Sequence, residues 1–289
     1  MNYEGNIIRP PSEANSIILK VTVGCSHNRC TFCGAYKDVR FRIKDAPTID
    51  ADIAFAARHC RRQHRVFLAD GDALIIPTPR LEGILAQIRQ QLPWVNRVSL
   101  YGNARSMLRK TPAELAKLKD LGLYRLYMGL ESGHDPTLEH IRKGVNSDRM
   151  VEAAKRIREA ALFLSVTVLL GIAGRSNSAV HARETGRILS GMQPNQIAAL
   201  TLMPLENTPL FEEMRTGKFK LPDQAGILQE LGLLVSAIDV ERAQFQANHA
   251  SNYLPLSGRL PRDKERILQV IGAGLSGRQP LTTESQRAL

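Results

Sequence analysis

Three of the four cysteines in this 289-residue chain lie within nine residues, in Gly24-Cys25-Ser26-His27-Asn28-Arg29-Cys30-Thr31-Phe32-Cys33. Soft thiolates at CX4CX2C spacing on one short loop suit zinc or an iron–sulfur cluster. A structural zinc site closes with four protein ligands, so His27 or the distant Cys60 would have to supply the fourth. A cubane of four irons held by three cysteines leaves one iron open. An open position is what a site needs to bind a small molecule and act on it. Cys60 itself lies in a helical pattern, Ala56-Ala57-Arg58-His59-Cys60-Arg61-Arg62, and reads as a structural thiol. Four cysteines cannot build a disulfide framework. The amino terminus lacks the apolar stretch of a signal peptide, and no apolar run approaches the roughly 20 residues needed to span a bilayer. A cytoplasmic protein with reduced thiols and no membrane partner is expected.

The elements that must carry this loop are readable as alternating patterns. Short, almost continuously apolar runs predict strands at Ser16–Val23, Arg65–Ala69, Arg97–Tyr101, Arg125–Leu130, Phe163–Leu170 and Gln196–Met203. Strands buried on both faces of a parallel sheet look like this. Helical patterns fall between them at Ile49–Gln63, Pro79–Gln91, Pro112–Leu121, Pro136–Ala161 and Ala179–Met192. Repeated βα units imply a parallel sheet with right-handed crossovers. Eight such units would close a full barrel. The six found here predict an α/β fold, an incomplete (β/α)6 TIM-like barrel over residues 16–210. An N-terminal arm (1–15) precedes it. A C-terminal helical extension (211–275) follows, with helices at Gln224–Val240 and Arg262–Ala273 and an irregular segment at Phe245–Pro261. The polar tail, residues 276–289, is expected to be disordered.

In such folds chemistry collects at the carboxyl ends of the strands. The cysteine loop follows the first strand, and Phe32 precedes its third cysteine. This resembles the radical S-adenosylmethionine (SAM) superfamily, whose usual motif is CX3CX2C, one residue shorter. The subgroup it is most similar to holds coproporphyrinogen oxidase-like, Elp3-like and MiaB-like proteins. Gly129-Leu130-Glu131-Ser132-Gly133 resembles their fourth-strand signature. Lys143, twelve residues after Glu131, stands where the family often has an arginine that meets the cofactor's methionine carboxylate. Leu170-Gly171-Ile172-Ala173-Gly174 resembles the fifth-strand stretch along the adenine, and Pro204-Leu205-Glu206-Asn207-Thr208 the sixth-strand stretch. At the second strand, Ala69-Asp70-Gly71-Asp72 takes the place of a glycine-rich motif that meets the methionine ammonium. Gly71 lets the backbone approach closely, and Asp70 or Asp72 could accept from the ammonium. Asn103 replaces an acid-containing stretch at the third strand, and Thr167 stands where related proteins carry an aspartate for the ribose.

The resemblance implies a radical SAM enzyme, an oxidoreductase or a transferase. It would hold one [4Fe–4S] cluster on Cys25, Cys30 and Cys33. Its S-adenosyl-L-methionine would be bound by Phe32, Gly71, Asp72, Asn103, Glu131, Lys143, Thr167 and Ile172. Reductive cleavage would give a 5′-deoxyadenosyl radical that takes hydrogen from a substrate, with flavodoxin or ferredoxin as reductant. His249, in the polar stretch Asn248-His249-Ala250-Ser251-Asn252-Tyr253, is the candidate general acid or base, because its intrinsic pKa is near neutral. Lys and Arg number 39 against 28 acids, a net charge of +11. Such a surface favours anionic partners, here a small molecule or peptide. Two alternatives remain open: an RNA-modifying radical SAM enzyme, and a non-catalytic zinc or iron–sulfur binding module.

Overall fold

The computed structural model describes residues 1–288. Ten strands are present: β1 (Ile17–Lys20), β2 (Thr22–Val23), β3 (Arg42–Ile43), β4 (Arg65–Ala69), β5 (Arg97–Tyr101), β6 (Leu123–Glu131), β7 (Phe163–Leu170), β8 (Gln196–Thr201), β9 (Ala243–Ala247) and β10 (Leu256–Leu260). Eight share one sheet in the order β1-β4-β5-β6-β7-β8-β9-β10, and β2 and β3 form a separate antiparallel pair. Five of the six expected strands keep their boundaries or shift by one or two residues, and Ser16–Val23 splits into β1 and β2. The long helical pattern at 136–161 resolves into two helices, Asp135–His140 and Ser147–Glu159.

The chain divides into two compact units. The first comprises Met1–Asn28, Ala35–Met128 and Arg156–Leu164. Within it β1, β4 and β5 pair in parallel, with Leu19 opposite Leu68 and Phe67 opposite Ser99. Helices cover the apolar strands, and three of them start at side-chain caps, Asp45, Asn103 and Thr111. The Asp45 carboxylate accepts from Thr48 N at 2.7 Å ahead of helix Ala46–His59. Thr111 and Glu114 form a reciprocal capping box at helix Pro112–Asp120, which satisfies two backbone donors that the helix itself cannot. The rings of Phe67, Tyr101 and Tyr127 pack edge-on or tilted, at 5.2 to 6.0 Å. Tyr127 Oη donates to the buried Glu13 carboxylate at 2.6 Å. The end of the N-terminal arm is thereby bound into this core.

The second unit comprises Arg29–Gly34, Gly129–Lys155 and Ser165–Leu289. Its strands β7, β8 and β9 run parallel, and β10 returns antiparallel to β9. Helix Gly174–Met192 packs on helix Gln224–Ala237 so closely that a Cβ on Gly186 would lie 2.5 Å from that of Ala237. Two expectations are corrected here. The segment expected to be irregular, Phe245–Pro261, holds the end of β9 and all of β10. In β9, Ala243, Phe245 and Ala247 are buried and alternate with Gln244 and Gln246. This is the period-two pattern of a strand with one covered face. Among its described residues, the tail expected to be disordered is docked. Thr282 N donates to Tyr253 O at 2.8 Å, and Arg287 Nε donates to Ser251 O at 2.7 Å. No helix among the described residues is long and apolar enough to cross a membrane.

Phe245 is fully buried. Replacing it with Ala should cost about 3–5 kcal/mol, the usual loss for a core Phe, as measured by urea unfolding. A change within about 0.5 kcal/mol, typical of an exposed site, would mean that β9 is not part of the core.

Candidate active site

The cysteine loop opens after β2 and closes into β3, whose pairing ties Val23 to Arg42. In the first unit its entry is fastened to the end of β4. Gly24, in the left-handed region (φ 83°), donates its N–H to Asp70 Oδ2 at 3.1 Å. Gly71 N donates to Gly24 O at 3.1 Å. A Cβ on Gly71 would stand 2.7 Å from Cys25 Cβ and 3.1 Å from the Tyr36 ring. Only glycine permits that approach. Asp70 is buried against Lys20, 3.2 Å away. Burial raises the Asp70 carboxyl above its ordinary value, and Lys20 opposes the shift.

Asp72 is fully buried and meets three segments. Its Oδ2 accepts from Ser26 Oγ and from Asn103 Nδ2 (2.7 Å), and its Oδ1 from Ser106 Oγ (2.7 Å) and Asn103 N (3.4 Å). Burial pushes this carboxyl up to about 6, against the pull of those hydrogen bonds. Asn103 is committed as well. Its Oδ1 caps the helix Ala104–Leu108 by accepting from Ser106 N, and its Nδ2 also reaches Ser26 Oγ. Asp72 and Asn103 stand out in the sequence as candidates, whereas Ser26 and Ser106 do not. His27 Nδ1 lies 3.5 Å from Arg105 Nη1.

In the second unit, the turn carrying Cys30, Phe32 and Cys33 is bracketed through its backbone. Thr31 N donates to Ile141 O, and Leu210 N donates to Thr31 O, both at 3.0 Å. Asn207 Nδ2 donates to Gly34 O at 2.9 Å, and a Cβ on Gly34 would collide with the Asn207 amide. All four cysteines are half-buried thiols. Among the described residues, no three His, Cys, Asp or Glu side chains are gathered as a metal site.

At the end of β6, Glu131 adopts the left-handed region (φ 64°), uncommon for a residue with a side chain. Its carboxylate folds back over Gly129, where a Cβ would lie 1.9 Å from Oε1. Lys143 Nζ meets Oε1 at 2.8 Å, with both side chains mostly buried. The next residue starts a relay that sequence reasoning missed. Ser132 Oγ contacts His181 Nδ1 at 2.7 Å, and His181 Nε2 lies 3.4 Å from Glu230 Oε1. Glu230 accepts from Gly171 N at 2.6 Å and from Ser178 Oγ. All of Ser132, His181 and Glu230 are buried. The relay ties the end of β6 to the glycine after β7. Ile172 is fully buried beside a cavity of about 310 Å³ that His140 and Phe219 also line, and Thr167 is half-buried on β7. His249 Nδ1 accepts from Ser251 N at 3.1 Å, which leaves Nε2 to carry the proton of the neutral ring. Burial lowers its pKa.

Comparison with known proteins defines the class. A model of the radical SAM superfamily matches residues 19–182. The chain belongs to that superfamily and is an enzyme of it, which sets aside the non-catalytic metal module. Among curated relatives, the anaerobic magnesium-protoporphyrin IX monomethyl ester cyclase of Cereibacter sphaeroides is 26% identical over 215 residues, 73% of this chain and 34% of the relative. The chain thus spans about a third of the length of that relative. Coproporphyrinogen III oxidase of Escherichia coli superposes with a TM-score of 0.57 at 15% identity, covering 94% of this chain and 61% of the other. Methylornithine synthase superposes at 0.54 and 17% identity, covering 92% and 84%. These likenesses show the fold, the α/β partial barrel of the superfamily. They give no support to the RNA-modifying alternative. Membership implies SAM, an iron–sulfur cluster, a reductant and a substrate.

The raised Asp72 pKa has a stability consequence. The folded state binds this proton more tightly than the unfolded chain, whose value is 3.8. Stability from this group should therefore fall as pH climbs from about 4 through about 6 and level off above, by roughly 3 kcal/mol in all. Urea unfolding across that range should show the decline relative to Asp72→Asn, whose side chain does not titrate. Parallel profiles for the two proteins would contradict it.

Proposed function

We propose that Cys25, Cys30 and Cys33 hold a [4Fe–4S] cluster and that this enzyme uses it to cleave S-adenosyl-L-methionine reductively. When bound, the cluster supplies the electron that breaks the cofactor's carbon–sulfur bond, giving a 5′-deoxyadenosyl radical able to take hydrogen from a substrate. One observation carries the reading. The backbone at Gly71 lies against Cys25 where no Cβ fits, so a glycine with chemistry-free surface is kept beside the first thiolate. The buried Thr31 hydroxyl, between Cys30 and Phe32, has no hydrogen-bond partner among the described residues. An unmatched buried donor is costly, and cluster sulfur is an acceptor it could use.

The chain's own residues bind and orient. Lys143 and Glu131 offer an ammonium and a carboxylate 2.8 Å apart. Such a pair suits the opposite charges of an amino-acid head group: Lys143 for the methionine carboxylate, Glu131 for the ammonium. Both oxygens of Asp72 are engaged by the protein, so Asp72 serves as a positioning residue, holding Asn103 and the Ser26 segment in place. Phe32, Thr167 and Ile172 contribute packing around the nucleoside, and the buried shell excludes water. The net charge of +11 supports an anionic small molecule or peptide as substrate, and a low-potential donor such as flavodoxin or ferredoxin as reductant in the cytoplasm.

Anaerobic reconstitution with iron and sulfide tests this. Broad absorption near ~400 nm is expected from thiolate-to-iron charge transfer. Addition of dithionite and S-adenosyl-L-methionine should release 5′-deoxyadenosine and methionine. Cys30→Ala should abolish release and Gly71→Ala should sharply lower bound iron. Cys60→Ala should do neither, because Cys60 lies at a helix end with its carbonyl taking Trp94 Nε1. Zinc occupancy without cluster formation, or loss of the cluster in Cys60→Ala alone, would overturn the assignment.

A further inference from the structure

A second site lies wholly within the second unit. A cavity of about 340 Å³ opens where Thr201, Leu202, Met203 and Pro204 leave the carboxyl end of β8. Pro222 and Ile227 extend its apolar wall, and Tyr253, Glu284 and Arg287 form its polar end.

The polar end is built unequally. The Arg287 side chain is 4% exposed, whereas that of its ion-pair partner Glu284 is 70% exposed. The guanidinium is held from behind and across its face. Nε donates to Ser251 O at 2.7 Å, and the group lies 4.0 Å from the centre of the Tyr253 ring. Nη1 donates to Tyr253 Oη and to both Glu284 oxygens, at 2.8 and 2.7 Å. Nη2 makes no hydrogen bond to any described residue. Tyr253 Oη in turn donates to Glu284 Oε2 at 2.6 Å. Burial pushes that phenol up to about 12, so it keeps its proton. A buried guanidinium needs an anion. An exposed carboxylate gains little from such a pair and is readily exchanged. A fixed arginine with two donors that no described residue uses and a replaceable counter-ion is suited to planar, bidentate capture of another carboxylate.

The geometry points to a carboxylate-binding pocket in which Glu284 stands in for the ligand. A small molecule with an apolar body and one carboxylate enters the cavity, displaces Glu284, and takes Arg287 and the Tyr253 hydroxyl in its place. That this ligand is the substrate rests on the radical reading above; the binding itself does not.

Isothermal titration of the full-length protein with hexanoate, and with hexanamide as its neutral match, tests the pocket. Hexanoate should bind saturably, at least about tenfold more tightly than hexanamide, given the strength of charge-assisted pairs. Glu284→Gln should tighten hexanoate about fivefold to tenfold by removing the internal competitor, while Arg287→Gln should abolish its preference over hexanamide. Equal affinity for the two probes, an unchanged or weakened affinity in Glu284→Gln, a retained preference in Arg287→Gln, or no hexanoate binding in wild type and Glu284→Gln alike would each overturn it. Release of 5′-deoxyadenosine, measured on the same preparations, separates the two readings. Its loss with hexanoate binding intact counts against the cofactor assignment alone.

Discussion

A carboxylate without solvent contact holds the entry of the cysteine loop within the first unit. Removing Asp72 from water is unfavourable unless its lone pairs are filled, and they are filled by Ser26, Asn103 and Ser106. Those donors come from the cysteine loop, the end of β5 and the short helix beyond it. Its two neighbours act in the same place. Asp70 pairs with Lys20 of β1, and Gly71 lies against Cys25. Three consecutive residues thus fix the loop by an ion pair, a steric approach and a hydrogen-bonded hub. Each would be weak as a constraint without the other two, since the backbone between them could turn.

The second unit has a buried polar anchor of its own. Ser132, His181 and Glu230 form a buried chain of polar contacts that ends on the N–H of Gly171. The ends of β6 and β7 are joined by it across two helices, and no solvent competes for any member. Buried networks of this kind are favourable only when complete. Glu230 accepts from Gly171 and Ser178 as well as facing His181, so its charge is matched on several sides.

Local pattern carries part of this architecture in the sequence and long-range pairing carries the rest. β4, β5 and β7 are legible to the residue because each is an apolar run between turn signals. Gly71 stands out as a glycine between two acids after a strand, a pattern that a tight Asp-Gly turn also explains. β9 escaped notice: Ala243 and Ala247 are weak hydrophobic markers, and the alternation shows only once Gln244 and Gln246 are given opposite faces. His181 reads as a residue within an amphipathic helix, and nothing in its neighbourhood announces Glu230. Asp72 is visible as a candidate, but its donors lie up to 46 residues away in the chain. Whether an acid faces a ligand or its own protein depends on such distant partners. The tail reads as polar and loose because its anchors, Tyr253 and Ser251, also lie far upstream in the chain.

The bracket around the second and third cysteines has a temporal side. Gly34 receives its hydrogen bond from Asn207, 173 residues downstream, and Thr31 from Leu210 just beyond it. A chain emerging from the ribosome at about 5–20 residues per second exposes these cysteines on the order of ten seconds or more before their bracket can form. During that interval the thiols belong to an unfinished turn, open to oxidants and to stray metals. The order of synthesis therefore places completion of this turn after β1 and β4 to β8, most of the sheet, have been made.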